Sequence, residues 1–285
     1  MRDTILFGDC RKTLCAFLPK SARMCVTSPP YYGLRDYGGE DNQIGQEQTP
    51  EEYIQQLVEV FREVRNILTD DGTLWVNIGD SYYNYRPGKA YVKQTVASNR
   101  QDLPEYSPKR SNKLDGYKEK DLIGIPWMLA FALRADGWYL RQDIVWNKPN
   151  PMPESVRDRC TKSHEYIFLL SKSQNYYFDV DAIKEPTRRK RSVWNIQTKP
   201  YRGSHFAVYP PELIEPCILA GSEVGDIVLD PFMGSGTTAA VAKSLGRDYI
   251  GCELHEDYGN LIKKRVDEYH PVTEVTQSPI LDALL

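Results

Sequence analysis

Residues 226–238 read Asp226-Ile227-Val228-Leu229-Asp230-Pro231-Phe232-Met233-Gly234-Ser235-Gly236-Thr237-Thr238. A short apolar run, a turn with two glycines and the opening of a helix follow one another within thirteen residues. Gly234 and Gly236 let the backbone pass close to a ligand, and the N-terminus of the following helix offers free N–H groups to a carboxylate or phosphate. The next strand-like run, 249–252, ends at Glu253, 23 residues after Asp230. An acidic side chain there can accept both hydroxyls of a ribose. The position three after Gly236 is Ala239, so the dinucleotide fingerprint is incomplete, and the Gly-Lys-Ser/Thr of a triphosphate loop is absent. The spacing points to a nucleoside cofactor.

The same alternation extends outward in both directions. Towards the C-terminus, helical spacing covers 237–245; towards the N-terminus it covers 211–220. Residues 4–9 and 24–27 read as short buried strands, and apolar residues from Tyr53 to Leu68 mark one face of a helix over 51–68. Asp70-Asp71-Gly72 is expected to turn that helix into a strand over 74–78. Asp121 is expected to cap a helix running to about Leu133, and strands over 138–146 and 166–170 to pair antiparallel at a sheet edge. Alternating strands and helices imply an α/β fold, a doubly wound and mainly parallel sheet with ligands at the carboxyl ends of its strands. No internal repeat interrupts this pattern, and the tail 271–285 lacks periodicity and is expected to be loose.

With 285 residues, 41% of them hydrophobic and 26% charged, one sizeable core is expected. We read residues 1–270 as one domain, with a catalytic half over 1–172 and a cofactor half over 205–270. No apolar run reaches the length of a membrane span, and Met1-Arg2-Asp3-Thr4 leads directly into a strand instead of a signal peptide, so a soluble cytoplasmic protein is expected. The six cysteines show neither zinc spacing nor a disulfide framework; they are read as reduced core thiols, and no metal is expected. Net charge is −3, but residues 82–120 hold nine Lys or Arg against four Asp or Glu. That stretch carries six of the 19 tyrosines and few aliphatic residues, which suits a basic surface insertion.

A second motif, Thr27-Ser28-Pro29-Pro30-Tyr31-Tyr32-Gly33-Leu34, follows the strand over 24–27. Adjacent prolines stiffen the backbone at the strand end, so a hydroxyl, a carbonyl and an aromatic face are held in fixed positions. Ser-Pro-Pro-Tyr followed far downstream by Asp-Pro-Phe-x-Gly-Ser-Gly-Thr-Thr resembles the circularly permuted, beta group of DNA amino-methyltransferases, in which the catalytic motif precedes the cofactor motif. The resemblance runs from about Asp9 to Tyr258 and includes the stretches 72–80 and 205–210. It implies a seven-stranded Rossmann-like methyltransferase sheet and S-adenosylmethionine as methyl donor. It also implies that Asp230, Phe232, Gly234, Ser235, Gly236 and Thr237 surround the methionine and ribose and that Glu253 takes the ribose hydroxyls. Asp9 falls near the adenine amino group, and Phe206 lines the methionine pocket.

An exocyclic amine conjugated to a base ring is a poor nucleophile because its lone pair is delocalised. Hydrogen-bond acceptors on its N–H bonds localise that pair. By the resemblance these are the Ser28 side chain and the Pro29 carbonyl in the Ser28-Pro29-Pro30-Tyr31 motif, with Tyr31 stacked on a base flipped out of the duplex. Relatives with Ser first in the motif mostly modify cytosine N4, whereas Asp in that position is usual for adenine N6. Site-specific methylation of cytosine N4 in double-stranded DNA is therefore the leading expectation, and N6-adenine methylation the nearest alternative. More distant readings are an RNA or protein-amide methyltransferase and a non-catalytic nucleic-acid-binding module. DNA contacts are expected from Arg35, from Lys109, Arg110 and Lys113 in the insertion, and from Arg188, Arg189 and Arg191 in the segment 173–204. A cognate restriction endonuclease and a dimer remain open as partners.

Overall fold

The computed structural model describes residues 1–33, 43–83, 113–199 and 209–269. Arg35, Lys109, Arg110, Phe206, most of the basic insertion and the tail from 270 lie outside the described residues. In chain order the elements are β1 (Thr4–Phe7), α1 (Cys10–Thr13), β2 (Ala22–Thr27), α2 (Pro50–Ile67), β3 (Leu68–Ile78), α3 (Ile125–Ala135), β4 (Tyr139–Asn147), β5 (His164–Ser171), β6 (Val193–Asn195), α4 (Pro211–Gly221), β7 (Ile227–Asp230), α5 (Thr237–Ser244), β8 (Asp248–Glu253) and α6 (Gly259–Glu268). The strands form one sheet in the order β1-β8-β7-β2-β3-β5-β4-β6. All run parallel except β5, which is antiparallel to both of its neighbours.

Period-two alternation along the central strands feeds two apolar layers. Cys25, Leu74, Val76 and Leu229 face a cluster closed by α2 and α3, while Met24, Val26, Trp75 and Val228 face one closed by α4 and α5. Helix α2 starts cleanly because Thr49 and Glu52 form a reciprocal capping box ahead of Pro50. Its buried stripe includes Tyr53, Leu57, Val60, Phe61 and Val64, all fully enclosed. Burial of each such side chain stabilises the fold by about 1.5–3 kcal/mol.

The fold is the expected one, with four local corrections. An eighth strand, β6, pairs with β4; three residues with only Trp194 buried are too few to show periodicity. It covers the β4/β5 pair, which is therefore not the sheet edge. Strand β3 begins at Leu68, and Asp70-Asp71-Gly72 forms a bulge within it, so that Ala22 pairs with Leu68 but Met24 with Thr73. The bulge is tied down by Lys20 on Asp70 at 2.7 Å and Arg23 on Asp71 at 2.5 Å. Helix α3 is capped by Asp80, which accepts from the backbone N–H of Gly124 at 3.0 Å and Ile125 at 3.1 Å. Asp121 instead accepts from the N–H of Lys118. Finally, Cys10, Cys25, Cys217 and Cys252 are core thiols, but Cys15 and Cys160 are exposed, because both sit in connections outside the packed layers. Among the described residues no helix is long and apolar enough to cross a membrane.

Candidate active site

Strand β7 leads through α5 to β8 on one side, and β2 leads through α2 to β3 on the other, so the winding reverses between β7 and β2. A crevice opens at such a switch point, at the carboxyl ends of the strands. Both sequence motifs end there. Asp230 closes β7 and is 1% exposed. One oxygen accepts from Thr27 Oγ1 at 2.6 Å and the Phe232 N–H at 3.0 Å. The other accepts from Thr238 Oγ1 at 2.5 Å and the Tyr209 hydroxyl at 3.3 Å. The Tyr209 and Thr238 hydroxyls also hydrogen-bond to each other, so their two protons are shared among three contacts. Burial raises the Asp230 pKa, and the hydrogen bonds oppose that rise without cancelling it.

The glycine turn wraps this anchor. Gly234 and Gly236 adopt left-handed backbone, φ 54° and 83°. A Cβ on Gly236 would lie 2.7 Å from Ile262 Cγ2, so α6 packs where a side chain would stand. Glu253, at the end of β8, accepts from the Gly234 N–H at 2.7 Å and the His255 N–H at 3.1 Å. Burial pushes its pKa up to about 7, despite those two donors. Asp9 follows β1, beside β8, and is engaged with Arg11 at 2.7 Å while it caps α1. Burial raises the Asp9 pKa, but the bonds and charge of Arg11 outweigh it and hold the carboxyl below its ordinary value. The Ser235 hydroxyl accepts from Arg265 of α6. Among the described residues, Thr237 Oγ1 and His255 Nε2 are buried without a hydrogen-bond partner.

The Ser28-Pro29-Pro30-Tyr31 loop continues directly from Thr27. Tyr53 of α2 donates to the Pro30 carbonyl at 2.7 Å. The Tyr31 hydroxyl donates to Glu165 Oε2 at 2.7 Å and lies 3.3 Å from Asn77 Oδ1. Lys148 pairs with the other Glu165 oxygen. Burial, and then the Glu165 charge, push the Tyr31 phenol well above its ordinary pKa, so it remains a donor; the Ser28 side chain also hydrogen-bonds to this phenol. Gly79 makes room for the ring: a Cβ there would stand 2.8 Å from Tyr31 Cε2.

The structure thus brings together Ser28, Pro29, Pro30, Tyr31, Asp230, Phe232, Gly234, Ser235, Gly236, Thr237, Glu253 and Asp9 along four neighbouring strand ends. Of the basic candidates, the described Arg188, Arg189 and Arg191 lie away from that crevice. They precede β6, four strands from β2, roughly 19 Å away at the usual strand spacing. All three are exposed, and Arg188 is paired with Glu185 at 2.5 Å. Lys113 is exposed at the border of the described residues. Sequence reading assigned no role to Thr27, Asn77, Lys148, Glu165, Tyr209, Arg265 or His255. No local pattern marks the first six, whose partners lie 17 or more residues away in the chain; His255 acts on Glu253 two residues earlier, through its backbone N–H.

Comparison with known proteins agrees with this geometry. Residues 22–264 match the N6/N4 methyltransferase family, described as DNA methylase. The Type II methyltransferase M.SmaI of Serratia marcescens is 52% identical over 269 residues, which cover 92% of this chain and 90% of the relative. Among solved structures, TTHA0409 from Thermus thermophilus, complexed with S-adenosyl-L-methionine, is similar with a TM-score of 0.64 at 25% identity over 92% of each chain. The cytosine-N4-specific PvuII DNA methyltransferase shares the fold, with a TM-score of 0.67 at 21% identity, covering 93% of this chain and 86% of that one. The family match spans both the Ser28–Tyr31 loop and the glycine turn joined to it at the switch point: the chain belongs to the N6/N4 DNA methylases.

Proposed function

We propose that this DNA methyltransferase transfers the methyl group of S-adenosylmethionine to the exocyclic N4 amino group of a flipped cytosine. The observation that carries the reading is the 2.6 Å bond from Thr27 to Asp230, which joins the base-binding loop to the cofactor turn. The residues around the turn fit the cofactor. Thr237 Oγ1 is a buried hydroxyl with no partner at the first turn of α5, where a carboxylate finds free N–H groups. Glu253 retains acceptor capacity for ribose hydroxyls, and the unpartnered His255 Nε2 lies two residues beyond it. S-adenosylmethionine supplies an electrophilic methyl group on a sulfonium centre.

On the substrate side, Ser28 Oγ and the Pro29 carbonyl accept from the two amino hydrogens and localise the nitrogen lone pair. Tyr31 offers its ring to the base while Glu165 and Asn77 hold its hydroxyl. Flipping costs a few kcal/mol and is offset in part by that stacking. Ser28 in the first position of the motif favours cytosine over adenine, by its resemblance to N4 enzymes. Similarity to a Type II methyltransferase supports a cognate restriction endonuclease as functional partner.

Three outcomes are expected. Mass spectrometry of nucleosides from plasmid DNA treated with labelled S-adenosylmethionine yields labelled N4-methylcytosine; labelled N6-methyladenine would overturn the base assignment. Tyr31→Ala slows single-turnover transfer by about ten- to a hundredfold, as loss of a stacking contact of about 1–3 kcal/mol implies. Its cofactor affinity by calorimetry stays close to wild type; a parallel collapse would make Tyr31 a structural residue. The Glu253 carboxylate accepts both ribose hydroxyls only when ionised, so a pKa of about 7 makes cofactor binding tighten as pH rises. Between pH 6 and 8 the dissociation constant falls by about tenfold, since the ionised fraction rises by that factor. Glu253→Gln binds more weakly and loses that dependence; an unchanged pH profile would remove Glu253 from the ribose site.

A further inference from the structure

The connection between β4 and β5, residues 149–163, leaves the sheet at the same end as the catalytic loop. Its neck is closed by the Lys148 N–H on the Ser163 carbonyl at 2.7 Å. The two residues flanking that neck, Lys148 and Glu165, are the pair that holds the Tyr31 hydroxyl. The loop is thus joined through its neck to the pair that holds Tyr31.

The loop is exposed yet fastened at several points. Asn150 exchanges two hydrogen bonds with the backbone of Thr198, at 2.9 and 3.0 Å. Arg159 pairs with Glu154 at 2.6 Å and stacks over the Tyr82 ring at 3.9 Å. Lys162 donates to the Asp80 carbonyl at 2.9 Å, and Lys120 pairs with Asp158 at 2.6 Å. Both acidic side chains of the loop are thereby neutralised. Arg157 is exposed and has no ion pair among the described residues.

Near the start of the loop stands Pro151-Met152-Pro153. Met152 is 85% exposed, more than any other large hydrophobic residue described. Prolines on both sides fix the backbone, so the methionine cannot easily fold back onto the protein. A water-facing apolar side chain on a stapled support, in one loop with two neutralised carboxylates and an arginine without an ion pair among the described residues, is complementary to a gap in a polyanion. We propose that this loop is a DNA wedge: Met152 fills the space in the base stack that the flipped base vacates, and Arg157 contacts a flanking phosphate. Apolar side chains play this part in other proteins that unstack DNA, and the flexible, polarisable thioether suits an irregular gap. The inference rests on the DNA-methylating function proposed above.

The test uses a duplex carrying the site that wild-type enzyme modifies, mapped on plasmid DNA, and a second duplex in which the target base faces an abasic position. Met152→Ala lowers kcat/KM on the paired duplex by about tenfold, because the enzyme must now hold the stack open without its wedge. On the abasic duplex, where opening is already achieved, the same variant stays within about twofold of wild type. Met152→Leu retains activity on both, and cofactor affinity is unchanged throughout. Equal loss on the two duplexes, or no loss on either, overturns the wedge while leaving the methyltransferase reading intact. A wild-type protein that methylates no duplex overturns both.

Discussion

A buried carboxylate at the end of β7 is the point on which the arrangement turns. Removing Asp230 from water is costly, and only a full set of donors makes it tolerable. Those donors come from four parts of the chain: Thr27 of β2, Phe232 of the glycine turn, Thr238 of α5 and Tyr209 ahead of α4. A hydrogen bond to a charged group contributes about 1.5–3 kcal/mol, so satisfying the carboxylate also fixes the relative positions of these segments. Because β7 and β2 flank the reversal in strand order, the clasp lies where the ligand crevice has to form.

Three carboxylates at neighbouring strand ends differ through their surroundings. Asp230 is enclosed by hydrogen-bonding groups of the protein. Glu253 is buried with two backbone donors, and burial raises its pKa against those hydrogen bonds. Asp9 is engaged by Arg11 and stays ionised. On the other side of the clasp, Tyr31 is held by Glu165, itself held by Lys148, and these two flank the neck of the Pro151-Met152-Pro153 loop. A set of polar contacts thus runs from Tyr31 through Glu165 and Lys148 to the neck of that loop.

The parts legible in the sequence were those whose cause is local. Glycines at 234 and 236, the prolines after Ser28 and the apolar stripe of α2 each announce their geometry within a few residues. What escaped reading depends on partners far apart in the chain. Glu165 meets Tyr31 across 134 residues, and Thr27 meets Asp230 across 203. Asp80 reached α3 from 44 residues away and displaced the nearer Asp121 as its cap. The bulge in β3 looked like a turn because Asp-Asp-Gly is turn chemistry; pairing with β2 and the ion pairs of Lys20 and Arg23 keep it in the strand. Strand β6 and helix α6 carried too short or too polar a pattern, yet α6 closes the cofactor turn through Ile262 and Arg265.

If the clasp aligns the two loops, removing its hydroxyl should separate their functions. The direct measurement is single-turnover methyl transfer by Thr27→Val, alongside its cofactor dissociation constant. Three donors still hold Asp230 in this variant, so the cofactor turn stays formed while the base-binding loop loses its anchor. The transfer rate should fall at least about tenfold, as loss of one charged hydrogen bond allows, with cofactor affinity nearly unchanged. An unaltered transfer rate would show that Thr27 and Asp230 meet without aligning anything.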